Sequence, residues 1–192
     1  MNKFIVVSDI DSCINNLLER TFEIYNERHG TNYTIAQQAS YNLEDNFPMY
    51  VADEIKEIFL EKELWDSLTP VDGAQWALKS FINSGYDVYL ATGTHHVNFP
   101  WKIEWLKKHF GFIDSKNIIR IHNKSLLKCD VLIEDCYENL IDAKAPIGRI
   151  LMNKPWNKNS ANKDYIYGIN RVDNWDDIVK YVNQIYKDEM EW

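Results

Sequence analysis

Cysteine is scarce in this chain: among 192 residues there are three, Cys13, Cys129 and Cys136, an odd number with no Cys-x-x-Cys spacing. That argues against a disulfide framework and a zinc site, and it fits reduced thiols in a cytoplasmic protein. No apolar run approaches the length of a membrane span, and the short one at the N-terminus stops at Asp9, unlike a secretory signal. Positive charge is in the minority, with 21 Lys plus Arg against 29 Asp plus Glu and a net charge of −8. A nucleic-acid backbone or an anionic membrane is therefore not the expected main partner. A small phosphorylated ligand remains compatible, because a local cation reverses the field. Repeats and low-complexity segments are also missing. What the chain does have is apolar bulk, 45% hydrophobic and 14% aromatic residues, enough for one cored domain with a small appendage.

Short apolar runs that end in polar or acidic residues are the main pattern. "FIVVSD" (4–9), "YDVYLATGT" (86–94) and "DVLIED" (130–135) are of this kind, and "IIRIH" (118–122) and "GRILMN" (148–153) are strand-like as well. Segments of helical period lie between them. "GAQWALKSFINSG" (73–85) gathers Trp76, Leu78 or Lys79, Phe81 and Ile82 near one face and stops at Gly85. "PWKIEWLKKHFG" (100–111) starts with Pro and stops with Gly, and 173–187 has acidic residues in its first turn. Strands alternating with helices predict an α/β fold, a Rossmann-like parallel sheet covered on both faces. The interval between Asp11 and Thr92 is too long for one crossover. Residues 14–29 and 48–66 have helical period, so 14–71 is read as a helical cap inserted after the first strand. Residues 1–13 and 72–192 then form the core, with 153–165 as a polar loop.

Two aspartates one residue apart, Asp9 and Asp11, follow the first apolar run. Along an extended strand end, positions i and i+2 point the same way, so both carboxylates face one site. A second acidic pair, Glu134–Asp135, ends "DVLIED". Ligands in such sheets bind beyond the carboxyl ends of the strands, where these residues fall. Four carboxylates at one edge repel and raise one another's pKa unless a cation intervenes. An oxygen-only ligand set without His or Cys fits Mg²⁺. Thr92-Gly93-Thr94 brings a hydroxyl and flexible backbone N–H groups suited to phosphoryl oxygens. Lys124 and Lys128 both stand where a cation would neutralise phosphate and nucleophile.

The order Asp-x-Asp, Thr, Lys, acidic pair resembles the four motifs of haloacid dehalogenase-like phosphohydrolases. More narrowly, "DIDSCINN", "ATG", "WKIEWLKKHFG", "NKSLLKCDVLIEDCYENL" and "ILMNKPWN" resemble the 5′(3′)-deoxyribonucleotidase family over about two thirds of the chain, the core rather than the cap. Lys124 stands six residues before Asp130, as the family's lysine does, which selects it over Lys128. The chain departs from the family pattern at Ser12-Cys13, where Gly and a small apolar residue are usual, at Gly93-Thr94, where Ser-Pro is common, and at Glu134, where Asp is common.

The resemblance implies a Mg²⁺-dependent phosphatase acting on nucleoside monophosphates through an aspartyl-phosphate. Asp9 would be the nucleophile and Asp11 the general acid and base. The metal would be held by the Asp9 carboxylate, the Asp11 backbone carbonyl and Asp135, with Glu134 orienting water on it. Thr92, Gly93 and Lys124 would bind the phosphoryl group. Phe59 and Trp65 would stack on the base, and Lys102 would lie near the phosphate. His95 and His96 are read as loop residues, and a homodimer is left open. Two competing readings are a related phosphatase for another small phosphomonoester and a receiver-like phospho-acceptor module. The second places its acceptor on a middle strand and lacks a cap.

Overall fold

A computed structural model describes residues 3–143 and 147–190. Positions 1–2, 144–146 and 191–192, which the expected core span includes, lie outside the described residues. The first strand, β1 (Ile5–Asp9), comes straight from "IVVSD", whose branched side chains suit a pleated, buried surface. The chain then runs through α1 (Leu17–His29), α2 (Met49–Ile58), α3 (Lys62–Ser67) and α4 (Ala74–Asn83) before β2 (Asp87–Thr92). It continues as α5 (Phe99–Phe110), β3 (Ile118–Arg120), β4 (Val131–Glu134), α6 (Tyr137–Asp142), β5 (Gly148–Met152), α7 (Asp164–Tyr167), β6 (Ile169–Val172) and α8 (Trp175–Met190).

The six strands form one sheet in the order β3-β2-β1-β4-β5-β6, and every pairing is parallel. The chain fills one side of β1 and then crosses to the other, so the order reverses between β1 and β4. That reversal opens a crevice at the carboxyl ends of these two strands. Successive residues of β1 face opposite layers. Val6 belongs to the larger core with α4, α5 and α8, and Val7 to the smaller one with Tyr137 and Leu140 of α6. Packing is close at Gly148, where a Cβ would crowd the end of the Ile185 side chain and lie 3.1 Å from Val131, so any larger residue requires these side chains to shift.

The excursion between β1 and β2 leaves and returns through a paired neck. Asn15 bridges Pro70, Asn16 N donates to the Thr69 carbonyl (3.2 Å), and Val71 N donates to the Ile14 carbonyl (2.9 Å). Four expectations need correction. The helix expected over 48–66 is two helices, because the chain turns at residues 59–61, and the Trp65 indole donates to the freed Phe59 carbonyl (2.9 Å). Trp76 is exposed, and the buried face of α4 is Ala74, Ala77, Leu78 and Phe81. The segment expected as a polar loop over 153–165 contains a 3₁₀ stretch, Pro155–Lys163, that runs into α7. A sixth strand, β6, completes the sheet edge.

Candidate active site

The site is built where β1 stops. Asp9 is its last residue and is buried, with Cα register to Ala91 of β2. The chain then turns sharply. Ser12 adopts a left-handed conformation (φ 60°), which glycine takes without penalty and a serine does not. The turn is pinned by Asn15, whose Oδ1 accepts from Ser12 N (3.0 Å) and Leu17 N (3.2 Å). The Asn15 amide also donates to Asp11 Oδ1 (3.1 Å), fixing that carboxylate from behind.

Two lysines divide the carboxylates between them. Lys124 sits in a 3₁₀ turn, Lys124–Leu126, whose Ser125 amide donates to the Asn123 side chain (3.0 Å). It is buried, and its ammonium donates to both Asp9 Oδ1 and Glu134 Oε1. Glu134 accepts from Asn139 at its other oxygen (3.2 Å). Lys102, on α5, is fully buried, and its ammonium donates to Asp11 Oδ2 and to Thr92 Oγ1 (2.7 Å) while lying 5.0 Å from the Trp65 ring centroid. Asp135 is positioned through its main chain, whose carbonyl accepts from Trp156 Nε1 (3.2 Å) and Asn157 Nδ2 (2.9 Å).

Burial and crowding set the electrostatics. Burial, then the neighbouring carboxylates Asp9 and Glu134, push Asp135 well above the ordinary carboxylate range. Burial also raises Asp9, against the pull of Lys124. Glu134 is pushed up to about 7 by burial, and Lys124 offsets this only in part. Burial alone would lower Lys124, but Asp9 and Glu134 outweigh it and hold the ammonium charged. Lys124 is ion-paired with Asp9 and Glu134 only, and Lys102 and Lys154 act on the cluster from farther off, so the crowded buried carboxylates carry an excess of negative charge that a divalent cation would offset. Ligand atoms of Asp9, Cys13 and Asp135 lie within 4.8 Å of one another, and two hard oxygen donors suit Mg²⁺. The Cys13 thiol is raised by burial, then by Asp135 and Asp9, and stays neutral beside them.

The structure therefore gathers Asp9, Asp11, Thr92, Lys102, Lys124, Glu134 and Asp135 at one sheet edge. Gly93 is exposed beside them, and a Cβ there would make ordinary contact with His122 (3.5 Å), so nothing in the packing requires glycine. Lys128 is exposed. A cavity of about 300 Å³ opens on Asp11 and is walled by Leu17, Phe59, Trp65, Gly93, Thr94 and Asn98, among others. Phe59 is half-buried and Trp65 is buried. His95, read from sequence as a loop residue, also lines this cavity, whereas His96 does not. Asn98 went unnoticed in the sequence. It is 4% exposed and lines this cavity, and its buried Oδ1 has no hydrogen-bond partner. Its only sequence signal is a position just before α5 that favours any capping residue.

The family model described as 5′ nucleotidase, deoxy (Pyrimidine), cytosolic type C protein matches residues 3–186. A 5′(3′)-deoxyribonucleotidase from Clostridium acetobutylicum is 29% identical over 158 residues, 82% of this chain and 86% of that protein. One from Bacillus subtilis is 32% identical over 121 residues, 62% of this chain and 65% of that protein. Among solved structures, a HAD family hydrolase from Deinococcus radiodurans with bound phosphate and sodium superposes with a TM-score of 0.63 at 12% identity, covering 95% of this chain and 96% of that one. A hydrolase from Pseudomonas syringae gives 0.60 at 13% identity, covering 95% and 99%. At such identities these two structures speak for the fold, which is that of HAD hydrolases.

Proposed function

Because the chain belongs to the 5′ nucleotidase, deoxy (pyrimidine), cytosolic type C family, we propose that it hydrolyses deoxynucleoside monophosphates with Mg²⁺, through an aspartyl-phosphate on Asp9. The observation that carries this reading is the pairing of two carboxylates with two different lysines. Asp9 is tied to Lys124 and Asp11 to Lys102, so neighbouring acids face different partners and can do different work.

In the first step an Asp9 oxygen attacks phosphorus, the bond from phosphorus to the sugar oxygen breaks, and Asp11 passes a proton to that oxygen. In the second, Asp11 takes a proton from water as the water oxygen attacks phosphorus, which frees phosphate and restores Asp9. Thr92, the Gly93 amide and Lys124 face the phosphoryl oxygens and offset their charge. Lys102 exchanges its bond to Asp11 for one to the phosphate, which releases Asp11 for proton transfer. A Mg²⁺ ion would be held by the carboxylates of Asp9 and Asp135 and the Asp11 backbone carbonyl, with Glu134 behind them. When bound, it supplies the positive charge that three crowded carboxylates lack and polarises the phosphoryl group.

Residues 14–71 act as the cap that selects the leaving group. Phe59 and Trp65 take the flat base, and the orphaned Asn98 amide receives a hydrogen bond from its polar edge. A cytoplasmic setting suits the three buried, unpaired cysteines. No helix among the described residues is long and apolar enough to cross a membrane. The test is phosphate release from a panel of nucleoside 5′- and 3′-monophosphates and sugar phosphates. Turnover of the deoxynucleotides that needs Mg²⁺ is expected. Turnover of sugar phosphates alone would leave the phosphatase chemistry standing and remove the substrate assignment.

A further inference from the structure

The oxygen-only ligand set expected from the sequence has a sulfur beside it. Ligand atoms of Asp9, Cys13 and Asp135 lie within 4.8 Å of one another, and all three residues are buried. Cys13 reaches the acids because the chain turns back on itself after β1. Ile14 N donates to the Ile10 carbonyl (2.9 Å) across the left-handed Ser12, and the Cys13 carbonyl accepts from Trp175 Nε1 (3.0 Å). Cys13 is 0% exposed, so packing holds its thiol against the acids. It is also one of the positions at which the chain departs from the family pattern.

One carboxylate of the cluster has no partner. Asp9 and Glu134 are ion-paired with Lys124, and Asp11 is ion-paired with Lys102. Asp135 is 6% exposed, and among the described residues its carboxylate makes no hydrogen bond and no ion pair. Its main chain is nevertheless fixed, by Trp156 and Asn157. A buried carboxylate without a partner is costly, which points to a cation shared with the Asp9 oxygen and the Cys13 sulfur. A cation that prefers oxygen uses the two carboxylates and gains nothing from a neutral thiol. A softer one takes the sulfur as a third ligand. The S–H bond breaks, a sulfur–metal bond forms, and the proton passes to water. Two carboxylates, one thiolate and an open position make a donor set suited to Zn²⁺.

We propose that Cys13 makes this centre a mixed sulfur and oxygen site, which captures Zn²⁺ and other thiophilic divalent cations in competition with Mg²⁺. An ion held by the sulfur also occupies the Asp9 carboxylate, so it stops turnover. The binding stands on the geometry of the three side chains, and only the loss of turnover rests on the proposed reaction. Zn²⁺ stands near the top of the affinity order for most donor sets, so tight binding alone is no test. Dependence on the sulfur is.

Metal-free full-length protein is titrated with Cd²⁺ and Zn²⁺, wild type beside Cys13→Ser and Cys13→Ala, with folding of each checked by thermal melting. Ultraviolet absorbance reports thiolate-to-cadmium charge transfer, and calorimetry reports affinity. Wild type should show the charge-transfer band, saturating at a single Cd²⁺ per chain. Both variants should lose the band and bind Cd²⁺ and Zn²⁺ at least ~10-fold more weakly. The Mg²⁺ concentration that half-maximally raises their Tm should not increase. In wild type, added Mg²⁺ should move the Cd²⁺ titration to higher concentration. A titration that Mg²⁺ leaves in place would put the bound thiolate away from Asp9 and Asp135 and overturn the proposal. A band that persists in Cys13→Ser, and so belongs to Cys129 or Cys136, would overturn it too, as would no band in folded wild type. A Cys13-dependent band in a protein that hydrolyses no nucleotide would uphold this site and remove the proposed reaction. Mg²⁺-dependent turnover without the band would do the reverse.

Discussion

Stripped of divalent cations, this protein should lose stability as the pH rises from about 5 to about 8. Glu134 carries the largest share that can be given a number. Its carboxyl is pushed from 4.5 up to about 7 in the fold, by burial first and by Asp9 as well. Between these values the unfolded chain has released the proton and the folded chain still holds it, so the folded state binds more protons and each rise in pH disfavours it. At ~1.4 kcal/mol per unit the shift amounts to about 3 kcal/mol by the time Glu134 is ionised in both states. Asp9 and Asp135 are also raised and act in the same direction. His109, lowered by burial and then by Lys108, acts the other way below its ordinary value. Lys124 is raised and keeps its charge across the whole window, so it contributes no slope there. The Glu134→Gln variant isolates the term, because His109 is common to both proteins. Without metal, Glu134→Gln should gain on wild type by about 3 kcal/mol between about pH 5 and about pH 8, a relative rise in Tm of roughly 5–10 °C. Added Mg²⁺ should raise the Tm of wild type more at the higher pH, where Glu134 is charged. Melting curves in chelator and in Mg²⁺ at both pH values measure all of this. A constant gap between the two proteins, with an equal Mg²⁺ effect at both pH values, would refute the account of the crowded carboxylates.

Three further outcomes are expected. Lys102→Met keeps the buried stem beside Trp65 but removes the partner of Asp11 and Thr92, and should lower kcat/KM at least ~100-fold, about 3 kcal/mol for a lost charged contact; activity within a few fold of wild type would show that this ammonium does not serve the phosphate. Asn98→Ala should raise KM about tenfold for a nucleotide, one hydrogen bond, and leave hydrolysis of a small non-nucleotide phosphomonoester unchanged; equal loss on both would make Asn98 a structural residue. Ser12→Gly should relieve ~1–2 kcal/mol of left-handed strain against ~0.4–1 kcal/mol of added chain entropy, for a net gain between zero and about 1.5 kcal/mol and a Tm up to about 5 °C higher; destabilisation in a melting experiment would contradict that reading of the turn.

Much of this arrangement is legible in the sequence, for physical reasons that differ between elements. β1, β2, β4 and β5 announce themselves because buried parallel strands need unbroken branched apolar runs. β6, "INRV", does not, since an edge strand tolerates polar side chains and its Arg171 serves Asp164 and Asn157 instead. Asp9, Asp11 and Asp135 stand out because aspartates at the end of such runs are costly without a task. Lys102 could not be placed from its helix alone, where a lysine is by default a solvated residue. Its burial depends on Asp11, 91 positions earlier in the chain. Asn98 is invisible for the same reason, because an unpaired amide is a property of the packed structure. Trp76 shows the converse error, a large apolar residue at helical spacing that nothing covers.

The central claim is that Asp9 attacks phosphorus. Its most direct test is rapid acid quench of the Mg²⁺-loaded protein with a deoxynucleoside monophosphate labelled in the phosphate, followed by mapping of protein-bound label. Label on Asp9 that forms before free phosphate appears, and that is absent from Asp9→Asn along with turnover, is the predicted result. Phosphate release by Asp9→Asn at the wild-type rate, with no label on the wild-type chain, would contradict it.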